Sequence, residues 1–425
     1  MPAADAAPVK LRKELMCLHC WQHFAPEDVL WISEHPDLLG DPVLGAEAQM
    51  RFVPARFTVQ GDAIDPRGQV CGEIACPKCH LLLPRPLLEY EPMLVSIVGT
   101  PTCGKSYYLG ALTWSLRRTL PQSFKLEFTD TDPAANQLLH RYEEQLFLRD
   151  KPNERVMLGD LIPKTQLAGD NYNRVVVGQQ TICYPKPFSF VFKPVAGHRR
   201  DEDGDRVAKV CCLYDNAGEQ FLPGIDPTTA AGTKHLAMAN LLLFLYDPTQ
   251  DPRARSLFQV NNTHQVPPPT PNAGRQETAL QEVGNRIRRQ LNLPRAAKID
   301  RPVIVVVTKA DLWGAVLNDV WKDEPYVWSD KLNCHAVDAT KIDDVSNATR
   351  QLLESFVPEF VSTVSALSDS VWYIPVSAIG CRPTWDSNGA AWIRPELMQP
   401  SWVSVPFIYG MALTVPGVIA RSKRV

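Results

Sequence analysis

The chain has 425 residues, of which 45% are hydrophobic, so its length allows two or three domains with substantial cores. Its 44 Lys and Arg residues nearly balance its 47 Asp and Glu residues, and the formal net charge is −3. This composition excludes wholesale disorder and argues against a strongly basic protein that wraps nucleic acid. The 37 prolines predict long connections and interrupted elements.

No membrane or secretory segment is predicted. The first eight residues lack a basic stretch followed by an apolar one. The apolar run at residues 403–420 contains two prolines and two glycines, so we expect a buried terminal element rather than a membrane span. Eleven cysteines without a secretory signal indicate a reducing compartment, where metal ligation is favoured over disulfides. We therefore expect a cytoplasmic protein.

Two Cys-x-x-Cys pairs lie before the first long apolar run, separated by a long stretch: Cys17, Cys20, Cys76 and Cys79. Two thiolates at this spacing bind one Zn²⁺, and two such pairs complete a tetrahedron. We expect residues 1–92 to form a zinc-ribbon-like domain with a long insertion between its two knuckles. Cys71, His23 and His80 are alternative ligands, and four reduced thiols without metal are the structural alternative.

From Met93 onward, short apolar runs alternate with helical patterns. This alternation predicts an α/β domain over residues 93–425, with a mainly parallel central sheet flanked by helices. The predicted strands are residues 93–98, 187–192, 207–214, 241–246, 302–307 and 371–375. The predicted helices are residues 105–118, 133–148, 278–291 and 344–367. Loops are expected at residues 199–206, which are charged, and at 251–275, which are proline-rich.

The segment Gly99-Thr-Pro-Thr-Cys-Gly-Lys-Ser106 follows a predicted strand and precedes a predicted helix, as a phosphate-binding loop requires. Its glycines let several backbone N–H groups face one anion, and the helix N-terminus adds partial positive charge. Lys105 is expected to reach the β- and γ-phosphates, and the Ser106 hydroxyl to bind Mg²⁺. The alternative is a glycine-rich turn with an exposed lysine. The further candidate nucleotide contacts here are Gly99, Thr102, Cys103, Gly104 and Tyr107.

A second candidate element, Asp215-Asn-Ala-Gly218, follows the third predicted strand. Open α/β sheets bind ligands at the carboxyl ends of their parallel strands. Asp215 is therefore a candidate Mg²⁺ ligand, usually through water, and the Gly218 N–H a candidate γ-phosphate contact. Gln220 is a candidate catalytic residue. An ordinary turn that ends a strand is the alternative.

A third candidate element, Thr308-Lys-Ala-Asp311, follows the fifth predicted strand. The Asp311 carboxylate can accept the N1–H and the 2-amino group of guanine, and adenine offers no such pair of donors. The stem of Lys309 is expected to lie along the base plane. After the last predicted strand, the backbone of Ser377 and Ala378 is positioned to meet guanine O6.

As an ordered set, these segments resemble the translation-factor-like (TRAFAC) class of P-loop GTPases. Residues 99–106 correspond to the first motif of that class, residues 215–218 to the third, residues 308–311 to the fourth and residues 377–378 to the fifth. The resemblance implies binding of GTP and GDP, and Mg²⁺-dependent hydrolysis of GTP to GDP and phosphate by a molecular switch.

The sequence departs from the family pattern at two positions. Thr308 stands where the fourth motif usually has Asn, and Glu219 stands where small GTPases have a water-orienting Gln, with Gln220 one residue further on. Slow hydrolysis without a partner is therefore expected. The distance between the first and third motifs implies an enlarged switch region, for which Thr165 is our first candidate for the switch threonine and Thr181 the second.

A zinc ribbon directly before a P-loop domain, together with the Asp247-Pro-Thr-Gln-Asp-Pro run, resembles bacterial double-GTPase proteins. This resemblance implies a protein partner, a second GTPase or an effector, and a role in a bacterial conflict or defence system. The alternative function is a zinc-ribbon adaptor with a weakly active or inactive GTPase-like domain. A third hypothesis is nucleic-acid binding through the ribbon and the basic stretch from Arg286 to Arg301, which is better explained as the solvated face of a helix.

Overall fold

The N-terminal part of the chain is built from short antiparallel strands. The structure, a computed structural model, describes residues 11–162, 172–177, 180–202, 204–216, 218–221, 233–254, 275–386 and 390–422. The first ten strands form a four-stranded sheet in the order β10-β9-β3-β6 and three two-stranded hairpins. Their bounds are β1 (Leu15–Met16), β2 (His23–Phe24), β3 (Leu30–Ile32), β4 (Leu39–Asp41), β5 (Gly45–Gln49), β6 (Arg51–Phe52), β7 (Ala63–Ile64), β8 (Val70–Cys71), β9 (Ile74–Ala75) and β10 (Leu82–Leu83).

A seven-stranded sheet forms the centre of the described chain. The strands after β10 are β11 (Glu91–Gly99), β12 (Leu126–Asp130), β13 (Val156–Met157), β14 (Tyr172–Val177), β15 (Gln180–Pro185), β16 (Phe188–Pro194), β17 (Lys209–Asp215), β18 (Leu241–Tyr246), β19 (Val303–Val307), β20 (Tyr326–Ser329), β21 (Cys334–Asp338), β22 (Val371–Pro375), β23 (Thr384–Trp385), β24 (Ala391–Ile393) and β25 (Arg421–Ser422). The central sheet has the order β12-β16-β17-β11-β18-β19-β22. The five strands from β17 to β22 in this order are parallel, whereas β16 is antiparallel to both its neighbours. The predicted mixed α/β class with a mainly parallel sheet is confirmed.

Helices connect the strands of this sheet and cover it. Their bounds are α1 (Lys105–Phe124), α2 (Gln137–Phe147), α3 (Leu158–Leu161), α4 (Gly204–Val207), α5 (Lys234–Met238), α6 (Gln276–Gln290), α7 (Ala310–Trp313), α8 (Ala339–Phe356), α9 (Pro358–Leu367) and α10 (Val405–Thr414). Short 3₁₀ turns span Pro26–Asp28, Arg85–Leu88, Gly218–Phe221, Pro248–Gln250, Gly314–Trp321 and Pro395–Leu397. Within the described part of the chain, no helix is both long enough and apolar enough to span a membrane.

Side chains of the central strands alternate between two faces, because successive residues of a strand point in opposite directions. In β18, Leu241, Leu243 and Leu245 join a cluster with α1, α8 and α10, whereas Leu242 and Phe244 join one with α6 and α9. The apolar run near the C-terminus is part of the first cluster, as the buried helix α10. Both faces of β18 are therefore covered, which explains its uninterrupted apolar sequence.

The N-terminal cysteine module covers the part of the second face that α6 and α9 leave open. Val210, Cys212 and Tyr214 of β17 belong to the same hydrophobic cluster as the residues around the cysteine pairs. The Tyr214 hydroxyl donates a hydrogen bond to the Leu18 carbonyl at 2.6 Å. Trp21 lies with its ring centroid 6.2 Å from that of Tyr214. The module therefore packs on the strand that ends at Asp215. The domain boundary at residue 92 stays a prediction.

One predicted helix is wrong. The single helix expected over residues 344–367 is two helices, because α8 ends at Phe356 and α9 begins at Pro358. Val357 has a non-helical backbone conformation, with φ −133° and ψ 55°. Proline has no N–H and clashes with the preceding turn, so Pro358 suits the first turn of a new helix better than the interior of a continuous one. The helix α8 also begins earlier than predicted, at a cap in which Asp338 accepts a hydrogen bond from the Lys341 N–H at 3.0 Å.

Other boundaries differ by a few residues. The strand expected from Val207 starts at Lys209, because residues 204–207 form the short helix α4. Helix α1 continues to Phe124, beyond its predicted end at Arg118. Most of the proline-rich segment predicted at 251–275 lies outside the described residues. Strand β12 was not predicted from the sequence, since its alternating exposed and buried residues make only a short apolar pattern.

Candidate functional site

A cavity of about 370 Å³ lies at the carboxyl end of the parallel strands. It is formed by the loop after β11, the start of α1, the segments after β19 and β22, and helix α3. The sequence-predicted residues that line it are Thr102, Cys103, Gly104, Lys105, Ser106, Tyr107, Gly218, Thr308, Lys309, Asp311 and Ala378. Segments that are about two hundred residues apart in the sequence therefore meet around one space.

The loop between β11 and α1 curls around its own lysine. Thr102 and Gly104 both have left-handed backbone conformations, with φ values of 66° and 94°. The Lys105 side chain is buried, and its Nζ donates to the Gly99 carbonyl at 2.9 Å and the Thr100 carbonyl at 3.2 Å. An exposed lysine on a simple turn, the alternative considered from the sequence, is therefore not what the structure shows.

The segment after β17 contacts the same loop. Asp215 is buried at the end of β17, where it is in register with Ile97 of β11. A Cβ atom at Gly218 would lie 2.6 Å from the Pro101 nitrogen and 2.7 Å from the Gly99 oxygen. Because such distances are shorter than van der Waals contact, only glycine fits at this position without moving the loop. Gly218 and the loop at residues 99–101 are thus in direct backbone contact.

Thr308 joins the loop to the neighbouring strand. Its hydroxyl lies within hydrogen-bonding distance of the Cys103 carbonyl, at 3.1 Å, and of the Tyr246 carbonyl, at 3.2 Å. A hydroxyl has one hydrogen to donate, so the two carbonyls share it. The side chain therefore fastens the end of β19 to the loop at residue 103, and its hydroxyl is occupied by these backbone contacts.

Lys309 follows Thr308 in a left-handed conformation, with φ 57°. Its Nζ lies 2.5 Å from Asp247 Oδ2 and 3.5 Å from the Thr102 carbonyl. Asp247 is completely buried and directly follows β18. Asp247 was not among the predicted site residues, although a carboxylate directly after a parallel strand is also the feature that marks Asp215.

Asp311 lines the cavity and is supported by Ser377. The Ser377 hydroxyl donates a hydrogen bond to Asp311 Oδ1 and accepts one from the Gly380 N–H at 2.9 Å. Burial raises the pKa of Asp311, and the hydrogen bond from Ser377 opposes that rise. Ser377 is itself buried, while Ala378 lines the cavity.

Apolar residues that carry no motif complete the wall. They are Leu158, Ile162, Leu312, Ile379, Pro383 and Trp385. The Tyr107 hydroxyl donates a hydrogen bond to the Leu158 carbonyl, which links α1 to α3. Sequence reasoning missed this wall, because nothing local in an apolar residue distinguishes a cavity lining from a core.

Six predicted residues are not among those that line the cavity in the described part of the chain: Gly99, Thr165, Thr181, Asp215, Gln220 and Ser377. Gly99, Asp215 and Ser377 contact or support the loops that form it, as described above. Thr165, the first candidate for the switch threonine, lies outside the described residues. Thr181, the second candidate, is exposed on β15 in a hairpin with β14. Gln220 belongs to the 3₁₀ turn Gly218–Phe221, but its side chain and that of Glu219 lie outside the description.

The four predicted cysteines form one buried cluster: Cys17, Cys20, Cys76 and Cys79. All four sulfur atoms lie within 4.8 Å of one another. The Cys17–Cys79 and Cys20–Cys76 sulfur distances are 3.6 and 3.7 Å. Tetrahedral zinc with Zn–S bonds of about 2.3 Å requires sulfur separations of about 3.8 Å. The cluster thus fits a metal such as zinc.

The two pairs have the same backbone design. Each occupies the turn of a hairpin, β1–β2 for the first pair and β9–β10 for the second. The backbone N–H groups of His19 and Lys78, each two residues after the first cysteine of its pair, donate to Cys17 Sγ and Cys76 Sγ, both at 3.3 Å. Such N–H donors stabilise thiolate sulfur, which is the metal-binding form.

The thiols of the cluster differ in acidity. Hydrogen bonds with the other three thiols lower the pKa of Cys76, whereas burial raises the pKa of Cys17. Metal binding requires thiolates, so it would release the protons that remain on the more basic sulfurs.

The alternative ligands considered from the sequence do not join the cluster. His80 Nδ1 lies 2.7 Å from Asp41 Oδ2, and His23 Nδ1 lies 3.2 Å from Glu14 Oε2. The Cys71 thiol donates to the Gln69 carbonyl, with a sulfur–oxygen distance of 3.6 Å. In the described part of the chain, the candidate metal site is therefore made of the two Cys-x-x-Cys pairs.

No family model matches the sequence, and comparison with curated proteins finds no match. One match among solved structures is a crystal structure of a mutation variant of SsGBP, with 13% sequence identity and a TM-score of 0.23. The match covers 68% of this chain and spans half, 50%, of that chain. A TM-score this low supports no statement about fold or function, so the site has to be interpreted from its own geometry.

We expect Cys76→Ser combined with Cys79→Ser to abolish stoichiometric zinc binding, because two remaining thiolates cannot complete a four-sulfur site. Metal analysis of the unmodified protein should give about one zinc per chain. Cys183→Ser is the matched control, since Cys183 is exposed and outside the cluster. Zinc near zero in the unmodified protein, or retained in the double variant, would contradict a metal site here.

Proposed function

We propose that this protein is a cytoplasmic, Mg²⁺-dependent GTPase that binds GTP and GDP and acts as a molecular switch. The observation that carries the proposal is the shared cavity: the loop at residues 101–107 and Asp311 line the same space. The order and direction of the sheet strands support it, since they bring the segments after β11, β19 and β22 to one edge.

The phosphate end of the site would be the loop after β11. Backbone N–H groups of a curled loop and of a helix N-terminus bind anions, and α1 begins at Lys105. An ammonium group has three donors, and two face carbonyls of the loop itself. The third can serve a phosphate oxygen. Gly218, which contacts the loop backbone, would bring its N–H toward the γ-phosphate.

The base end of the site would be Asp311 with Lys309. An ionised Asp311 can accept two hydrogen bonds from the guanine edge, while Ser377 fixes one of its oxygens. Lys309 lines the cavity, and its stem would offer an apolar surface for the base. Ala378 also lines the cavity, and its backbone N–H would donate to guanine O6.

Ser106 and Asp215 are suited to Mg²⁺, because this ion prefers oxygen ligands and keeps several waters. When bound, the ion would neutralise negative charge on the nucleotide phosphates while the γ-phosphoryl group is transferred to water. Lys105 and the loop N–H groups would bind and orient the same oxygens. The residue that positions the attacking water, Gln220 in our hypothesis, is a prediction from the sequence alone.

The proposal extends to zinc and a protein partner. Zinc in the four-cysteine cluster would fix the module that packs on β17, the strand that ends at Asp215. A second GTPase or an effector as partner, and a place in a bacterial defence system, are predictions from the sequence resemblance. A zinc-ribbon adaptor with little hydrolysis is the competing function, favoured by the Thr308 hydroxyl being occupied by backbone carbonyls.

We expect GTP and GDP to bind far more tightly than ATP, and Asp311→Asn to shift preference toward xanthine nucleotides. An amide presents a donor where the carboxylate accepts, which suits the additional carbonyl of xanthine. Titration calorimetry with each nucleotide, with and without Mg²⁺, measures this choice. ATP affinity equal to GTP affinity in the unmodified protein would refute guanine recognition.

We expect Lys105→Ala to reduce the rate of phosphate release from GTP by about a hundredfold or more. This is the typical loss of rate when an enzyme loses one donor that stabilises negative charge in the transition state. Single-turnover phosphate release, compared with the unmodified protein, measures it. Equal rates in the two proteins would exclude the GTPase hypothesis and favour the zinc-ribbon adaptor, provided that both proteins still bind GTP. Arg118→Ala is a matched control on the same helix, away from the cavity lining.

We expect GDP affinity to fall as the pH falls through the pKa of Asp311. Burial raises that pKa above the ordinary value of 3.8, so the free protein takes up a proton at a higher pH than an exposed Asp. Because guanine requires the ionised form, affinity should fall by up to about tenfold per pH unit below that pKa. Asp311→Asn should flatten the profile measured from about pH 8 to about pH 5. An identical profile in the variant would assign the dependence to other groups.

A further inference from the structure

Asp247 directly follows β18, and both oxygens of its buried carboxylate have polar partners. Its Oδ1 accepts hydrogen bonds from the Thr249 N–H at 2.9 Å and the Thr249 hydroxyl at 2.7 Å. Its Oδ2 lies 2.5 Å from Lys309 Nζ. The Asp247 side chain is 0% exposed, whereas the Lys309 side chain is 27% exposed. One end of the pair is therefore fixed inside the protein, and the other belongs to a residue that lines the cavity.

The backbone of Asp247 is held by a side chain from another element. Gln276, the first residue of α6, accepts a hydrogen bond from the Asp247 N–H at 2.8 Å through Oε1. Its Nε2 donates to the Asp247 carbonyl, also at 2.8 Å. Both polar atoms of the buried amide are satisfied by one residue, so rotation of either partner would break two hydrogen bonds.

These contacts form a chain from α6 to the cavity. Gln276 fixes the backbone of Asp247, and the Asp247 carboxylate fixes the ammonium group of Lys309. A lysine stem has several rotatable bonds, and a ligand that must order it loses affinity. A stem that is already ordered in the free protein avoids that cost.

We propose that Asp247 is a positioning residue for Lys309 and that Gln276 positions Asp247, so that the two together set the lifetime of bound guanine nucleotide. The inference rests on the proposed function, since it assumes that the Lys309 stem contacts the base. It adds a role for helix α6, which does not line the cavity. If Gln276 and Asp247 only supported the fold, substituting them would change the nucleotide dissociation rate equally with and without the Lys309 ammonium group.

A double-mutant cycle with Asp247→Asn and Lys309→Met separates the two possibilities. Methionine at this position keeps an apolar stem of similar length without the charge, and asparagine keeps the shape of the aspartate. We expect Asp247→Asn alone to accelerate GDP dissociation about tenfold, as measured by displacement of a fluorescent GDP analogue. In the Lys309→Met background, the same substitution should change the rate less than about twofold.

Gln276→Ala provides an independent arm and should accelerate GDP dissociation about three- to tenfold. Gln281→Ala is its control on the same helix, because Gln281 is exposed and makes one long hydrogen bond of 3.4 Å to Thr363. The control should leave the rate unchanged. The Gln276→Ala effect should also disappear in the Lys309→Met background.

Two outcomes would overturn the inference. The first is an equal acceleration of GDP dissociation by Asp247→Asn with Lys309 intact and in the Lys309→Met background, because the two effects would then be additive. The second is a dissociation rate in Gln276→Ala no higher than in Gln281→Ala. Failure of the unmodified protein to bind GDP would instead remove the proposed function, and the inference with it, so the two failures are distinguishable.

Discussion

Parallel pairing of β11 with β17 and β18 is the constraint on which the rest of the site depends. Gly99 of β11 is in register with Leu245 of β18, and Ile97 with Asp215 of β17. Because the strands are parallel, the chain leaves each of them at the same edge of the sheet. Loops from distant parts of the sequence therefore meet there, and each can contribute one or two polar groups to a common cavity.

Several contacts that hold these loops involve the backbone of the loop after β11. Gly218 meets the loop without a side chain, and the hydroxyl of Thr308 bonds to the carbonyls of Cys103 and Tyr246. Lys105 bonds to carbonyls of its own loop. A loop held through its carbonyls leaves its N–H groups for other partners, and such N–H groups suit an anion.

The cysteine module has a structural role that its own sequence does not reveal. A sheet with parallel strands needs both faces covered, and α6 and α9 cover the second face over β18, β19 and β22 and at Val98 near the end of β11. The module covers β17, where Leu18 and Trp21 of the module contact Tyr214 of the strand. The four-cysteine cluster therefore belongs to the same hydrophobic cluster as the strand that ends at Asp215.

Sequence patterns were sufficient to predict the α/β class, the positions of the six predicted strands, the burial of the C-terminal apolar run and the four-cysteine cluster. Those features depend on local patterns: uninterrupted apolar runs, and cysteine pairs with two residues between them. The single long helix was wrong because the pattern of apolar residues continues across Pro358, although the backbone hydrogen bonds do not. Likewise, β12 was missed because its buried residues alternate with exposed polar ones, so it lacks the uninterrupted apolar run that marked the predicted strands.

The contacts between these segments come from the tertiary structure. It brought Asp311 and the loop at residues 101–107 to one cavity, paired Asp247 with Lys309, and placed the cysteine module on β17. The apolar wall around Trp385 also came from the structure. A local pattern records which face of an element is apolar, whereas contacts between distant segments depend on strand order and register, which no short stretch of sequence contains.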